Sequence, residues 1–152
     1  MEAQPLTWAV HHLAVAVAEF DASVARRLGL SAGDYLALKH LLAAAGPVEF
    51  ADPPGPVELG RLLGLSSGAA TGLVDRLERA GYARREPHPR DRRRQIVRAT
   101  ARAEADVVRA LEPVAAEIDR IGAGLTDEQR ELTVSVLGAL AAVHRAQDPS
   151  PS

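Results

Sequence analysis

Seven arginines lie within one short stretch of the chain, where their guanidinium groups could bind anions. They fall between positions 84 and 98 and are Arg84, Arg85, Arg90, Arg92, Arg93, Arg94 and Arg98. With only Glu86 and Asp91 as acidic companions, the stretch carries +5, although the whole chain carries −2. Phosphate neutralisation supplies most non-specific affinity for nucleic acids, so a basic segment on an acidic body is typical of a nucleic-acid-binding surface. Charge alone leaves open the alternative that this stretch is only a solvated loop that binds no partner.

A second set of candidate binding residues lies just upstream, from Ser67 to Ala80. Apolar residues at helical spacing predict a helix with one buried face, formed by Ala70, Leu73, Val74 and Leu77. The other face is small and polar and carries Ser67, Gly68, Thr71, Gly72 and Asp75. We expect Ser66 or Ser67 to cap this helix. The major groove of DNA admits one α-helix, so a helix of this composition is suited to enter it.

The neighbouring elements predict how these residues are positioned. A short helix, Val57–Leu63, is expected to turn its leucines inward, and Gly64 predicts a tight turn before the next helix. Strands are predicted at Tyr82–Glu86 and Gln95–Ala99, joined by a basic loop that two prolines stiffen. Two helices joined by a short turn and followed by a basic hairpin form a winged helix-turn-helix.

Two further helices are predicted before this motif. The first is Leu6–Leu28, whose apolar residues recur at steps of three and four. The second is Ser31–Ala45, where Ser31 and Asp34 form a pair that resembles a capping box. The segment Pro47–Pro56 contains four prolines and is a predicted loop.

Two more helices are predicted after the hairpin. Thr100 caps a helix that reaches about Ile121 and bends near Pro113, which cannot donate a backbone hydrogen bond. Thr126 caps the last helix, and the tail from Asp148 is expected to fray. The predicted fold is therefore mainly α, in the order α-α-α-α-β-β-α-α, with residues 1–152 forming a single subunit.

Composition excludes several classes of function. The chain of 152 residues is 47% apolar and 25% charged, which fits one globular domain. It has no cysteine, so disulfides, thiolate metal sites and cysteine nucleophiles are excluded. The five histidines do not have the spacing typical of metal ligands, and no catalytic motif or phosphate loop is found. We therefore expect no bound metal, no cofactor and no enzymatic activity. No membrane-spanning run or signal peptide is recognisable, and a cytoplasmic location is expected.

Three runs of residues resemble the MarR family, the multiple antibiotic resistance regulators. They are LLGLS at 62–66, LVDRLERAGY at 73–82 and DRRRQIVRAT at 91–100. The resemblance extends over about residues 28–140. It implies a winged helix-turn-helix DNA-binding lobe at 47–100 and dimerisation helices at 6–30 and 101–146.

The resemblance also implies partners and a mode of action. The chain is expected to form a homodimer on a pseudo-palindromic operator in double-stranded DNA, with half-sites about one helical turn apart. The expected function is that of a sequence-specific transcriptional regulator, a repressor released by a small aromatic or lipophilic effector. The alternative is a degenerate dimer that binds a ligand or a protein and binds DNA only weakly.

Roles for individual residues follow from the same resemblance. Asp91 would brace the hairpin, and Arg93 would enter the minor groove of DNA. Arg92 and Arg94, like the neighbouring Arg90, would contact phosphates or the groove. Arg76 would lie near a backbone phosphate or form an internal ion pair.

The sequence departs from the family pattern on the predicted recognition helix. Gly68 and Ala69 stand where the family often has serine or threonine, and Gly72 stands where it often has arginine. Base reading is therefore expected to be sparse and to depend on Ser67 and Thr71, with Ser66 and Gly68 beside them. Either specificity then depends on the hairpin and on DNA shape, or the operator is unusual.

Candidate effector-binding residues lie on the first two helices, which border the ligand pocket in the family. They are Trp8, His11, His12, Tyr35 and His40. An aromatic acid is one ligand that such side chains could bind. The alternative is that these residues belong to the dimer interface or are partly exposed without a ligand.

Overall fold

The structure, a computed structural model, describes residues 5–45 and 53–146 and confirms the predicted order of elements. The eight elements are α1 (Pro5–Arg27), α2 (Ala32–Ala44), α3 (Pro56–Leu62), α4 (Ser67–Arg79), β1 (Ala83–Pro87), β2 (Gln95–Ala99), α5 (Ala101–Ala123) and α6 (Asp127–Ala146). Most predicted boundaries differ by one or two residues, and β2 matches its prediction. Most of the predicted proline-rich loop and the tail from Asp148 lie outside the described residues.

The chain divides into two compact units, residues 1–110 and residues 111–152. The first unit contains the core, whose largest fully buried side chains are Val24, Tyr35, Leu38, Leu59, Val74, Leu77, Ile96 and Val97. They come from α1, α2, α3, α4 and β2. Fully burying an aliphatic side chain of this size contributes about 1.5–3 kcal/mol, so this core fixes the orientation of α4.

Side-chain caps define where several helices begin. Ser31 caps α2, and its Oγ accepts a hydrogen bond from the backbone N–H of Asp34 at 3.1 Å. The second hydrogen bond of the predicted capping box, from the backbone N–H of Ser31 to the Asp34 carboxylate, is wrong, because that carboxylate accepts from Arg76 instead. Ser66, rather than Ser67, caps α4 and accepts from the backbone N–H of Ala69 at 3.2 Å.

The turn between α3 and α4 depends on two glycines. Residues 63–66 separate the two helices, and Gly64 has a φ of +65°, which few residues other than glycine adopt. A Cβ on Gly60 would lie 2.8 Å from the Cβ of Ala70, so glycine allows α3 and α4 to approach closely. The expectation that Leu59, Leu62 and Leu63 turn inward is wrong for Leu62, which is 55% exposed, because the helix ends there and packs through Leu59 and Gly60.

The hairpin formed by β1, β2 and their connecting loop (residues 83–99) is called the wing below. Its strands are antiparallel, with Ala83 opposite Ala99 and Pro87 opposite Gln95. On the other edge of β2, the backbone N–H of Val97 donates to the Pro54 carbonyl oxygen at 2.8 Å. The last residues of the predicted loop therefore support β2 as a third backbone segment.

The second unit presents much of its apolar surface to solvent. None of the residues of α6 is buried, and exposed apolar side chains on α5 and α6 include Ile118, Ile121, Leu132, Val134 and Leu137. Within this unit, the end of α5 and the first half of α6 line an apolar groove of about 550 Å³. The helix α5 continues through Pro113. The bend near Pro113 stays a prediction.

Candidate nucleic-acid interface

The helix α4 separates a buried face from a small, open one, as its sequence predicts. The four apolar residues of the predicted core face, Ala70, Leu73, Val74 and Leu77, are all buried. Ser66, Ser67, Gly68 and Thr71, the predicted DNA-contacting residues at the N-terminal end, are all exposed. A Cβ on Gly68 would meet no atom within 4 Å, so the surface there is open.

Two side chains of the wing loop accept hydrogen bonds from the backbone of the same loop and so hold its conformation. Asp91 Oδ1 accepts from the backbone N–H of Arg93 at 3.0 Å, which gives it the bracing contact that the sequence predicts. His88 is 4% exposed, and its Nδ1 accepts from the backbone N–H groups of Arg90 and Asp91, each at 3.1 Å. No pattern in the sequence predicts that His88 braces this loop. Together these contacts give the arginine-rich loop a defined backbone.

Among the residues that the structure describes, ion pairs engage Arg84, Arg85, Arg94 and Arg98 of the arginine cluster. Arg84 and Arg98 both bind Glu86, the second through its Nε at 3.0 Å from Oε2. These hydrogen bonds and charges, that of Arg84 first, lower the pKa of Glu86. Arg85 binds both Asp75 and Glu78 of α4, and Arg94 binds Glu58 of α3 at 3.3 Å.

The contacts of Arg85 attach the wing to α4. Its Nη2 lies 2.7 Å from Asp75 Oδ1, and its Nη1 binds Glu78. The backbone N–H of Arg85 also donates to Glu78 Oε1 at 2.8 Å. Since Arg85 is only 20% exposed in its side chain, these bonds fix β1 against α4, and the acidic groups of α4 are neutralised.

Two arginines in the loop of the wing have no ionic partner among the described residues. The side chains of Arg92 and Arg93 form no ion pair or hydrogen bond with any residue that the structure describes, and both are exposed. Arg90 is exposed in the same loop. The uncompensated positive charge of the wing therefore lies at the end of its loop, where a polyanion could reach it.

Arg76 forms the internal ion pair that the sequence left open as one of two roles. Its Nε donates to Asp34 Oδ2 at 2.9 Å and its Nη2 donates to Asp34 Oδ1 at 2.7 Å. Asp34 is 4% exposed, whereas the Arg76 side chain is 52% exposed. Hydrogen bonding to Asp34, and then the charge of that carboxylate, raises the pKa of Arg76. The pair joins α2 to α4.

The predicted effector residues fall into separate places. Trp8, His11 and His12 are exposed on α1, with ring centroids 5.7–6.3 Å apart. Tyr35 is 1% exposed, and its hydroxyl has no hydrogen-bond partner among the described residues. Burial, followed by the charge of Asp21, raises the pKa of Tyr35.

His40, the fifth candidate, is half-buried on α2. Within residues 5–45 and 53–146, no ring contact joins Tyr35 or His40 to the three aromatic side chains of α1. The same residues contain no group of three side chains that could hold a metal ion. No helix in this part of the chain is both long and apolar enough to cross a membrane.

The sequence did not indicate three of the side chains that organise this surface. Asp34 was expected to act as a cap, Arg85 was counted only as one of the clustered arginines, and Glu58 had no assigned role. The partners of Asp34 and Glu58 lie 42 and 36 residues away, so no local pattern could have identified them.

A short helix, a four-residue turn, a second helix with an open face and a basic hairpin define a winged helix-turn-helix protein. Residues 28–94 match the model of the MarR family. The HTH-type transcriptional regulator YcgE of Bacillus subtilis is 35% identical over 122 residues, which cover 80% of this chain and 75% of that relative. The chain belongs to the MarR family of transcriptional regulators.

Solved structures of similar proteins share the fold over nearly the whole chain. The transcriptional regulator Tm0710 from Thermotoga maritima is 28% identical, with a TM-score of 0.64 and coverage of 95% of this chain and 96% of that one. CouR from Rhodococcus jostii, bound to p-coumaroyl-CoA, is 22% identical, with a TM-score of 0.61 and coverage of 93% and 96%. A MepR mutant from S. aureus, bound to an oligodeoxyribonucleotide, is 15% identical, with a TM-score of 0.56 and coverage of 93% and 99%.

Proposed function

We propose that this chain is a cytoplasmic transcriptional regulator that binds a pseudo-palindromic operator in double-stranded DNA as a homodimer. The observation that carries the proposal is the pair of uncompensated arginines, Arg92 and Arg93, at the end of a braced wing beside α4. In this arrangement α4 would enter the major groove, and the wing would contact phosphates or the adjacent minor groove.

The residues of the proposed DNA-binding surface fall into two groups. On α4 and its cap they are Ser66, Ser67, Gly68, Thr71 and Arg76, and on the wing they are Arg90, Asp91, Arg92, Arg93 and Arg94. Asp91 acts by bracing the loop rather than by touching DNA, since its Oδ1 is bonded to the backbone of Arg93. The bound MepR relative supports this use of the fold.

Homodimer formation is supported by the apolar side chains that α5 and α6 present to solvent. Large apolar side chains exposed this widely are unusual on a monomer and mark an interaction surface. The dimer would bring two copies of α4 and of the wing to one operator, which explains the expected two-fold symmetry of the DNA.

Repression with release by a small molecule is the regulatory mode that we propose. CouR, whose structure contains p-coumaroyl-CoA, shows that a protein of this fold can accommodate a ligand with an aromatic group. Trp8, His11, His12, Tyr35 and His40 remain the proposed effector-binding residues. An effector would act by favouring a spacing of the two α4 helices that does not fit successive major grooves.

The second candidate function is a ligand-binding or protein-interaction dimer with weak DNA binding. The observation that favours it is the exposed stretch Gly68–Ala69, which offers no hydrogen-bonding side chain to a base edge. Such a protein would retain the fold and the dimer but would bind every DNA duplex alike.

Fluorescence anisotropy with the DNA upstream of the chain's own gene separates these functions. The duplex and a scrambled control are titrated at about 50 mM and about 200 mM salt. The regulator is expected to prefer the upstream duplex and to lose affinity steeply with salt. Weak binding that is equal on both duplexes, followed by failure to enrich any sequence from a random operator library, would contradict the regulator and favour the second candidate.

A further inference from the structure

The guanidinium group of Arg76 is held in one orientation, with part of it directed away from its ionic partner. Asp34 accepts from Nε and Nη2, so the planar fork cannot turn without losing a bond. The third nitrogen, Nη1, forms no hydrogen bond or ion pair with any residue that the structure describes. With half of the side chain exposed, the two N–H groups of Nη1 are available to an outside acceptor.

Nη1 lies close to a glycine on the same helix. A Cβ on Gly72 would lie 3.6 Å from Nη1, which is ordinary van der Waals contact. Gly68, Gly72 and Arg76 follow one another at intervals of four residues, so they share one stripe of α4. The guanidinium therefore lies over the place where a long side chain at position 72 would begin.

We infer that Asp34 is a positioning residue for DNA binding, and that it fixes Arg76 so that Nη1 contacts a DNA phosphate from the space left open at Gly72. This inference rests on the proposed DNA-binding function. The glycine at position 72 then leaves room for this contact, because Arg76, one turn later, covers the same part of the helix surface. A buried carboxylate on α2 orients that arginine, although it never touches DNA.

Other charged groups on α4 do not offer the same contact. Asp75 and Glu78 are neutralised by Arg85, whose own side chain is largely buried. Arg79 is exposed at the C-terminal end of the helix, but no acidic partner among the described residues fixes it. Arg76 is thus the cation of α4 whose direction is determined by the fold.

A double-mutant cycle on DNA affinity tests the inference. Arg76→Ala is expected to raise Kd about tenfold and to lower the salt slope by about 1 for each bound subunit, as loss of one phosphate contact requires. Asp34→Ala is expected to weaken binding in the wild-type background but to cause no further loss in the Arg76→Ala background. Asp21→Ala is the matched control, because it removes an acidic residue that pairs with Lys39 on α2 and forms no hydrogen bond or ion pair with the described residues of α4.

A second variant keeps the test valid if Arg76→Ala fails to fold. Arg76→Lys retains one ionic bond to Asp34, but its single ammonium group cannot also reach a phosphate from the position of Nη1. We expect the lysine variant to melt close to the wild type and to show the reduced salt slope. A purely structural role for the pair would leave its DNA affinity and slope unchanged.

The outcomes distinguish failure of this inference from failure of the proposed function. If the wild type binds DNA and wing variants weaken it, while Arg76→Lys and Arg76→Ala bind like the wild type, the positioning role is wrong. Equal losses from Asp34→Ala in both backgrounds would also overturn it, since Asp34 would then act independently of Arg76. If the wild type itself binds no DNA, the proposed function fails before the cycle begins.

Discussion

Removing the two unpaired arginines of the wing should change the salt dependence of DNA binding by an amount that can be calculated. Arg92 and Arg93 have no ionic partner among the described residues, so each can neutralise a phosphate and release counterions. Each such contact contributes about 0.9 to the slope of log K against log salt concentration. The double variant Arg92→Ala/Arg93→Ala should therefore lower the slope by about 1.8 for each subunit and by about 3.6 for a bound dimer.

This slope converts into a measurable difference in affinity. Between about 50 and about 200 mM salt, a slope of 3.6 corresponds to about a 150-fold change in Kd. Wild-type affinity should fall by that additional factor over this range, and the double variant should not. Anisotropy titrations of one labelled duplex at four salt concentrations measure both slopes.

A second double variant provides a control with the same change in charge. Arg84→Ala/Arg98→Ala also removes two positive charges from the wing, but both arginines bind Glu86 in the free protein. Its slope should stay closer to that of the wild type. If both double variants lower the slope equally, the effect comes from net charge and the assignment of the DNA contact to Arg92 and Arg93 is refuted.

Three further predictions concern the helix pair, the dimer and acid stability. Gly60→Val should lower stability by about 1–3 kcal/mol, seen as a lower melting temperature, because its Cβ would press on Ala70 at 2.8 Å; an unchanged melt would show that the α3–α4 contact is loose. Ile118→Glu, in the apolar groove of the second unit, should shift sedimentation from dimer to monomer, and an unaltered dimer would place the interface elsewhere. The pKa of Glu58 is lowered by hydrogen bonding to its own backbone N–H and by Arg94, so this carboxylate stabilises the fold above its usual pKa and the contribution is lost as pH falls through the lowered value. Chemical unfolding should therefore show that the free energy of unfolding falls more for the wild type than for Glu58→Gln between about pH 5 and about pH 3. Equal losses in the two proteins would contradict this origin of the pH dependence.

Local patterns predicted the elements well because their causes lie close together in sequence. The buried face of α4 follows from residues spaced three and four apart, and the cap at Ser31 follows from a bond across three residues. The expectation for Leu62 failed because a helix of seven residues is too short for periodicity to decide which leucine faces the core.

The electrostatic arrangement of the site could be predicted only in part. The arginine cluster was visible in the sequence, but which members were already neutralised was not. That distinction depends on contacts such as Arg94–Glu58, which joins residues 36 positions apart in the chain. The sequence therefore predicted where positive charge is concentrated, and the fold determined which part of it is available to DNA.

The surface of α4 is open at Gly68, so this position can accept a side chain. A side chain added there would meet no neighbour within 4 Å. A mutation to serine, asparagine or arginine at this position would thus add a hydrogen-bonding group without disturbing the core. New operator preferences could arise by single substitutions that cost no stability, which makes this helix a ready starting point for the evolution or design of altered regulators.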